Sequence, residues 1–236
     1  MSQKPKTYFN WSSGKDSAMA LHYLLEQGNY DIDRLLTTVN AHYNRVSMHG
    51  LPRKVLESQA ASVGIPLEVL EVPEKPSMEE YNDLMRSTVT QLRDYGYTHT
   101  GFGDIFLEDL KQYRENMLHP YGLTTLFPLW KKDTTELIEE FLALGFRAMI
   151  ICVNNSKLDA SFLGQELSRE LITKFPSSVD PCGENGEYHT FCFDGPIFKS
   201  PIPFSVGEKV FKAYDDPSNP SKSIQFGFCD IELETL

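Results

Sequence analysis

The sequence has no hydrophobic segment long enough to cross a membrane. Its longest uninterrupted apolar stretch, residues 148–153, falls far short of the roughly 18 residues that a spanning helix needs. The first residues, MSQKPKTYFNW, also lack the apolar core of a secretory signal peptide. We therefore expect a cytoplasmic protein that has no membrane partner.

Cysteine is scarce and shows no metal-binding pattern. The four cysteines are Cys152, Cys182, Cys192 and Cys229, and no two of them form a C-x-x-C pair. Such spacing is not typical of a zinc site or of the disulfide framework of a small secreted domain. Reduced thiols are the expected state.

Positive charge is also in short supply. The chain carries 22 lysine and arginine residues against 33 aspartate and glutamate residues, a formal net charge of −11. This balance disfavours a general binder of nucleic acids or anionic membranes, so no nucleic-acid partner is expected. Repeats and low-complexity segments are absent from the sequence, whereas 41% of its 236 residues are hydrophobic, which is enough for a substantial core.

The first half of the chain alternates short apolar runs with amphipathic stretches. The candidate strands are residues 7–11, 35–39, 67–72 and 97–102, and the candidate helices are residues 17–27, 52–63, 78–95 and 107–118. Such alternation is typical of an α/β fold in which helices cover a parallel sheet.

The pattern changes near Leu123. Beyond it we expect a helix after Asp133, a strand over residues 147–153, a loop rich in proline, serine and glycine, and further β-type runs from residue 188 onward. This order indicates an α+β arrangement rather than continued βαβ units. We therefore predict two domains, residues 1–123 and 124–236.

A small-residue loop between the first strand and the first helix is the strongest local signal for chemistry. It consists of Ser12, Ser13, Gly14, Lys15, Asp16 and Ser17. Small side chains allow backbone amides to surround an anion, and the following helix adds its positive end, so phosphate is the expected ligand. Lys15 would supply a cation, and the hydroxyls of Ser12 and Ser17 would donate hydrogen bonds to phosphate oxygens. Asp16 would bind either Mg²⁺ or a nearby amide.

This loop is not a Walker A sequence. That motif requires a glycine where Phe9 stands and a serine or threonine directly after the lysine, where Asp16 stands. The alternative without function is a helix that Asp16 or Ser17 caps and that carries a surface lysine. The position after the first strand favours the phosphate loop.

Other candidate ligand residues follow the later strands. Gly103 and Asp104 come after the fourth candidate strand, where ligands of parallel sheets bind, although Asp104 is equally suited to cap the next helix. Arg114 lies on that helix and is expected either to pair with Asp109 or Glu115 or to reach the cleft.

The end of the second candidate strand offers further candidates. Thr38 and Asn40 would present backbone groups to adenine, and Arg45 and His49 lie in the loop that follows. A phosphate or substrate contact is the functional interpretation of both loop residues, and a plain surface position is the alternative.

Residues 12–17 resemble the S-G-G-K-D-S pyrophosphate loop (PP-loop) of the N-type ATP pyrophosphatases. Ser13 stands where that loop has a glycine, which would be unfavourable if the backbone there needs a positive φ. Two later segments, Gly103-Asp104-Ile105 and the GENGEYHT motif of residues 183–190, narrow the resemblance to the diphthine ammonia ligase family. The similarity runs from about residue 8 to residue 198 and includes residues 48–50 and 128–130.

The resemblance implies an adenine nucleotide alpha hydrolase-like, Rossmann-like ATP-binding domain with a smaller α+β domain that binds the acceptor. It also implies that ATP adenylates a carboxylate with loss of pyrophosphate, and that ammonia then displaces AMP to form an amide. Lys15 and Mg²⁺ would stabilise the departing pyrophosphate. The expected partners are therefore ATP, ammonium and a carboxylate-bearing acceptor, and a homodimer is compatible with the sequence.

The motif of residues 183–190 would form the second half of such a site. Glu184 and Glu187 would orient ammonium and accept its proton, and Tyr188, His189 and Thr190 would contact the acceptor. The alternative is a tight turn at Gly183 and Gly186 with solvated carboxylates. The neighbouring Cys182 is either a nucleophile or an ordinary small residue.

Two other functions remain open at this point. The first is a nucleotide-binding sensor without turnover, in which the loop only holds ATP or AMP. The second is a transfer RNA-modifying enzyme of the same superfamily, which the net charge and the absence of paired cysteines disfavour. The acceptor molecule is not determined by the sequence.

Overall fold

The computed structural model describes residues 3–47, 50–216 and 219–234. Within these residues the chain forms one largely parallel sheet covered by helices and one antiparallel sheet. No helix in this part of the chain is long and apolar enough to span a membrane.

The first sheet is built from the N-terminal half of the chain. Its strands are β1 (Lys6–Asn10), β2 (Asp31–Asn40), β3 (Arg45–Val46), β4 (Leu67–Val72), β5 (His99–Gly101) and β6 (Thr124–Leu126), and its helices are α1 (Lys15–Gln27), α2 (Arg53–Val63), α3 (Met78–Asp94) and α4 (Glu108–Leu118). The parallel strands lie in the order β4-β2-β1-β5-β6, and only the short β3 runs antiparallel, to β2. The predicted Rossmann-like α/β fold is confirmed.

The second sheet is antiparallel throughout. Its strands are β7 (Arg147–Asn154), β8 (Tyr188–Asp194), β9 (Phe204–Asp216) and β10 (Asn219–Leu233), in the order β8-β7-β10-β9, and the helices of this half are α5 (Thr134–Ala143) and α6 (Arg169–Ile172). Strand β7 is buried along almost its whole length, because α5 and the first half of the chain cover it.

One hydrophobic core joins the two halves. It contains Phe9 and Leu21 from β1 and α1 together with Phe141, Ile150 and Phe191 from α5, β7 and β8. Since both sheets contribute to the same core, the loops between them are held in fixed positions.

Several predicted boundaries need correction. Helix α1 begins at Lys15 rather than at residue 17, so the phosphate-loop lysine belongs to the first helical turn. The predicted strand over residues 97–102 is only His99–Gly101, and β2 extends well beyond residues 35–39. Strand β6 pairs with β5, so the first sheet extends past the domain boundary expected near Leu123, which stays a prediction.

Candidate active site

The predicted phosphate loop lies at the point where the strand order of the first sheet reverses. From β1 the chain first adds β2 and β4 on one side and then β5 and β6 on the other. The carboxyl ends of β1 and β5 therefore form the crevice in which parallel sheets bind ligands. Residues 12–15 follow β1, and Gly103 and Asp104 follow β5, so two predicted segments far apart in sequence lie together.

Gly103 touches the start of α1. A Cβ atom at this position would lie 2.9 Å from the carbonyl carbon of Asp16 and 2.9 Å from the amide nitrogen of Ser17. Neither neighbour is a flexible side chain that could move aside. Glycine at position 103 is thus required for the close approach of β5 to the phosphate loop.

Ser13 gives the loop its sharp turn. Its φ of +74° lies in the left-handed region, so this position has the geometry that a glycine adopts most easily. The Ser13 carbonyl accepts hydrogen bonds from the Cys192 amide at 2.9 Å and from Nε2 of Gln59 at 3.1 Å. These contacts hold a strained backbone in place.

Gln59 is a site-positioning residue that the sequence did not reveal. Its fully buried side chain also donates to the carbonyl of Cys192 at 2.6 Å and accepts from Nε1 of Trp11 at 3.3 Å. It thereby connects α2, the phosphate loop and β8. A single glutamine in an amphipathic helix carries no pattern from which this role could be predicted.

The N-terminus of α1 lies at the crevice, and its N-cap residue, Gly14, supplies no side-chain cap. The Lys15 amide instead donates to Oγ1 of Thr190 at 3.0 Å. The Ser12 hydroxyl donates to Oγ of Ser17 at 3.0 Å. An uncapped helix start offers first-turn amides to an anion.

Lys15 is the cation of the site. Its side chain is 4% exposed, and Nζ lies 2.6 and 2.8 Å from the two carboxylate oxygens of Asp16. Burial by itself lowers the pKa of the Lys15 ammonium, but the negative charge of Asp16, aided by that of Glu184, outweighs burial and the pKa is raised. Lys15 is therefore a permanent cation.

Glu184 faces this pair from the loop before β8. Burial, followed by the charge of Asp16, raises its pKa to about 8, against the opposing effect of Lys15. The carboxyls of Asp180 and Asp104 act in the same direction as Asp16. A glutamate that changes protonation state near neutral pH is a common feature of catalytic sites.

Glu187 does not share that environment. Its buried carboxylate accepts hydrogen bonds from the amide of Asp180 at 3.0 Å and from the amide of Asn185 at 2.9 Å. The Asp180 carboxylate in turn accepts from the amide of Cys182 at 2.8 Å and from the Thr134 hydroxyl at 2.6 Å. Both carboxylates therefore hold the loop before β8, and Asp180 is a second positioning residue that we had not predicted. The ammonium contact expected of Glu187 stays a prediction.

Tyr188 and Thr190, in the segment after Glu187, make contacts within the protein. The Tyr188 hydroxyl donates to the Pro181 carbonyl at 2.6 Å and its ring is buried, and the acceptor contact expected of Tyr188 stays a prediction. Thr190 bonds the start of α1, as described above. Burial and the nearby Lys15 lower the pKa of His189, which keeps its imidazole neutral at neutral pH.

Asp104 pairs with Arg114 rather than capping α4. Nε of Arg114 lies 2.9 Å from Oδ2 of Asp104, and the guanidinium packs 4.4 Å from the centre of the Phe102 ring. Neither of those two buried atoms makes a well-aligned hydrogen bond among the described residues. The pairing of Arg114 with Asp109 or Glu115 that we had considered is replaced by this contact.

The remaining candidates are engaged elsewhere. Asn40 donates to the carbonyls of Pro73 and Glu74, and the carbonyl of Thr38 accepts from the Ser47 amide at 3.1 Å. Arg45 forms two hydrogen bonds of 2.7 and 2.9 Å with Asp230 and so links β3 to β10, and a phosphate or substrate contact of Arg45 stays a prediction. His49 lies outside the described residues.

The residues present bear on two chemical possibilities, a nucleophilic role of Cys182 and the binding of magnesium. Burial raises the pKa of the Cys182 thiol to about 12, which removes the thiolate that a nucleophile needs. Within residues 3–47, 50–216 and 219–234, no group of three or more metal-ligating side chains is found, and Lys15 occupies both oxygens of Asp16. The magnesium contact expected of Asp16 stays a prediction.

Two family models match this chain. Residues 5–125 match the model of the diphthamide synthase N-terminal domain, and residues 133–219 match that of the C-terminal domain. Proteins named diphthine–ammonia ligase are 33% identical over 144 residues in Schizosaccharomyces pombe and 35% identical over 117 residues in Rattus norvegicus. A third, from Danio rerio, is 34% identical over 137 residues.

These alignments cover only part of each protein. They include 58%, 46% and 55% of this chain in the three cases. The matched parts amount to 23%, 43% and 52% of the lengths of the yeast, rat and fish proteins. The chain thus spans about half or less of the curated relatives that it matches.

Proposed function

Because the chain belongs to the diphthamide synthase family, we propose that it is an ATP-dependent ligase that converts a carboxylate into an amide with ammonia. In this reaction the carboxylate attacks the α-phosphate of ATP and releases pyrophosphate. Ammonia then attacks the acyl adenylate and releases AMP. The relatives named diphthine–ammonia ligase support this proposal, and the buried Lys15 at the uncapped start of α1 is the observation that carries it.

Lys15 and α1 would bind the phosphates. The ammonium of Lys15 and the positive end of the α1 dipole both lie beside the carboxyl end of β1 and favour negative charge there. As pyrophosphate leaves, charge develops on its bridging oxygen, and a fixed cation stabilises that charge without reorganisation. Phosphates would also draw Lys15 away from Asp16 and so free the Asp16 carboxylate.

Magnesium belongs to this proposal only as a companion of ATP. Mg²⁺ commonly binds through one or two carboxylates together with substrate phosphates, and Asp16 is the carboxylate at hand. When bound, the ion would add positive charge beside the phosphates.

Glu184 would bind the ammonium ion and accept its proton. In its ionised form the carboxylate attracts ammonium, and a pKa of about 8 lets it accept a proton as ammonia becomes the nucleophile. Neutral His189, which precedes the α1 contact at Thr190, is the residue that we propose for hydrogen bonding to the acceptor. The acceptor is a molecule that bears a carboxylate.

The Lys15→Ala variant tests the proposal. With α-labelled ATP, magnesium, ammonium and a cell extract as the source of acceptor, we expect the wild-type chain to produce labelled AMP. Loss of the buried cation should reduce AMP formation by roughly 10²–10³-fold, as for other groups that stabilise developing charge. Labelled nucleotides separated by thin-layer chromatography provide the measurement.

The matched control is Lys174→Ala, which removes an exposed lysine paired with Glu170. It should leave AMP formation unchanged. Undiminished AMP formation by Lys15→Ala would disprove the assigned role of the lysine. If the wild-type chain bound ATP tightly but formed no AMP, the nucleotide sensor would be favoured instead.

A further inference from the structure

A small cavity lies between α1 and α5, beside the phosphate loop. From α1 it is lined by Lys15, Asp16 and Met19, and from α5 by Leu137, Ile138 and Phe141. Its volume of about 10 Å³ gives room for a single molecule of the size of water or ammonia. The phosphates and the base of a nucleotide are too large for it.

The cavity is closed by buried side chains except near Asp16. The Asp16 side chain is 30% exposed, whereas Lys15 and Leu137 are each 3% exposed and the other lining residues are also buried. The backbone of Asp16 lies against Gly103, which follows β5 at the crevice. Asp16 is therefore the lining residue at which the cavity can open, and the opening leads to the crevice.

The wall of the cavity suits water poorly. Most of the lining side chains are apolar, and the polar groups already have partners: Nζ of Lys15 lies 2.6 and 2.8 Å from the two oxygens of Asp16. The thiol of Cys182, which also lines the cavity, donates to the Thr134 carbonyl at 3.3 Å. A buried water molecule makes two to four hydrogen bonds to polar groups, and this wall offers few.

The charge of Lys15 favours neutral ammonia over the ammonium ion. An ammonium ion in the cavity would bring a second positive charge next to Lys15 and bury it among apolar side chains, and both effects are unfavourable. Glu184 can remove this charge, because its carboxyl interacts electrostatically with Lys15 and Asp16, two residues of the cavity wall. An ammonium ion that leaves a proton on Glu184 becomes neutral ammonia beside the cavity.

We propose that the cavity between α1 and α5 binds ammonia, the nucleophile of the amide-forming reaction, and that its size excludes larger amines. This inference rests on the proposed function, because it assigns a binding site to one of the proposed substrates. Met19, Leu137, Ile138 and Phe141 then determine the specificity for the nucleophile, since their side chains set the width of the cavity.

Enlarging the cavity tests the size limit. AMP formation is measured with α-labelled ATP, magnesium and a dialysed cell extract as the source of acceptor, with either ammonium or methylamine added, and AMP formed without an amine is subtracted. In the wild type, methylamine should support AMP formation at least about tenfold less well than ammonium, because one extra methylene group changes selectivity by roughly 10–200-fold. Leu137→Ala should reduce this preference to about threefold or less.

Leu142→Ala is the matched control for this variant. Leu142 lies on the same helix and packs against the core, but it does not line the cavity. Leu142→Ala should therefore keep the wild-type preference for ammonium. Far-ultraviolet circular dichroism verifies that each variant is folded.

Narrowing the cavity gives a second test. Cys182→Val adds a methyl group to the wall and should raise the KM for ammonium by roughly tenfold. Cys152→Val is its control, because Cys152 is buried in β7 and does not line the cavity. This variant should leave the KM for ammonium unchanged.

Exchange of labelled pyrophosphate into ATP separates this inference from the proposed function. With extract and without an added amine, exchange reports adenylation of the acceptor alone, so its absence in the wild type would overturn the proposed function and the inference that rests on it. With exchange present, three results would overturn the cavity site alone. They are equal use of methylamine and ammonium by the wild type, the same preference in Leu137→Ala and Leu142→Ala, and the same KM for ammonium in Cys182→Val and Cys152→Val.

Discussion

Glu184 shows how the environment of one residue changes its chemistry. It sits among Asp16, Asp104 and Asp180, with Lys15 as the opposing charge, and its pKa is raised to about 8. In an unfolded chain the same carboxyl titrates near 4.5. The folded protein therefore binds a proton at Glu184 over a pH range in which the unfolded chain has already lost it.

This difference predicts a pH dependence of stability. The raised pKa of Glu184 stabilises the folded chain. This stabilisation is complete below pH 4.5 and is lost as the pH rises through 8. The unfolding free energy of the wild type, measured relative to that of Glu184→Gln, should therefore fall by roughly 1–3 kcal/mol between pH 5 and pH 9, allowing for screening by solvent. Urea denaturation of both proteins across this range is the measurement.

The control for this experiment is Glu170→Gln. Lys174 lowers the pKa of the exposed Glu170, so this carboxyl stays ionised from pH 5 to pH 9 in folded and unfolded chains alike. The unfolding free energy of this variant should change with pH in the same way as that of the wild type over that range. If the unfolding free energy of Glu184→Gln also changed with pH as the wild type does, the raised pKa of Glu184 would be refuted.

At the scale of secondary structure elements, the contact between β5 and α1 positions the phosphate loop. The turn after β5 reaches the first turn of α1 only because residue 103 has no side chain. The uncapped end of α1 and the carboxyl end of β5 are thereby held against each other. The geometry of the crevice depends on this contact.

The Gly103→Ala variant tests the contact. Its methyl group would lie 2.9 Å from backbone atoms of Asp16 and Ser17, so α1 must shift. We expect a loss of about 1–3 kcal/mol of stability, as for other overpacked sites, together with a several-fold higher KM for ATP. Urea denaturation and AMP-release kinetics measure the two effects.

Gly96→Ala separates stability from ATP binding. Gly96 has a φ of +89°, and among the described residues no atom outside its chain neighbours lies within 4 Å of a Cβ built there. Alanine should cost about 1 kcal/mol of backbone strain and leave the KM for ATP unchanged. An unchanged KM in Gly103→Ala would show that the contact does not position the loop.

At the scale of the whole molecule, the second sheet supplies hydrogen bonds that hold the phosphate loop of the first sheet. In strand β8, Oγ1 of Thr190 accepts a hydrogen bond from the Lys15 amide, and the Cys192 amide donates one to the Ser13 carbonyl. Gln59 donates hydrogen bonds to the carbonyls of both Ser13 and Cys192. Arg45 and Asp230 add a link between β3 and β10. The phosphate loop is therefore a product of both halves of the chain.

Thr190→Val should reveal this dependence. The valine keeps the shape of threonine but leaves the buried Lys15 amide without its acceptor, which costs about 1–3 kcal/mol. We expect a lower urea midpoint and a higher KM for ATP. Thr190→Ser retains the hydroxyl and should keep the KM near the wild-type value, and equal KM values in the two variants would contradict the link.

The sequence predicted the fold class and the position of the phosphate loop because both depend on short-range patterns. Alternating apolar runs predicted the parallel sheet, and residues 12–17 between a strand and a helix predicted an anion site. The short strands β3 and β6 were missed because two or three residues carry no periodicity. The residues expected to bind ligand remain predictions until variants are measured.

By itself the sequence determined which residues could carry charge and where the chain must turn. Only the tertiary structure decided which of them meet: Glu184 faces Lys15, Glu187 holds its own loop, and Arg45 pairs with Asp230. Local patterns record the period of a helix or strand, whereas pairing across more than a hundred residues depends on how sheets and helices pack. Burial then sets the pKa of each carboxyl, and burial is a property of the folded chain.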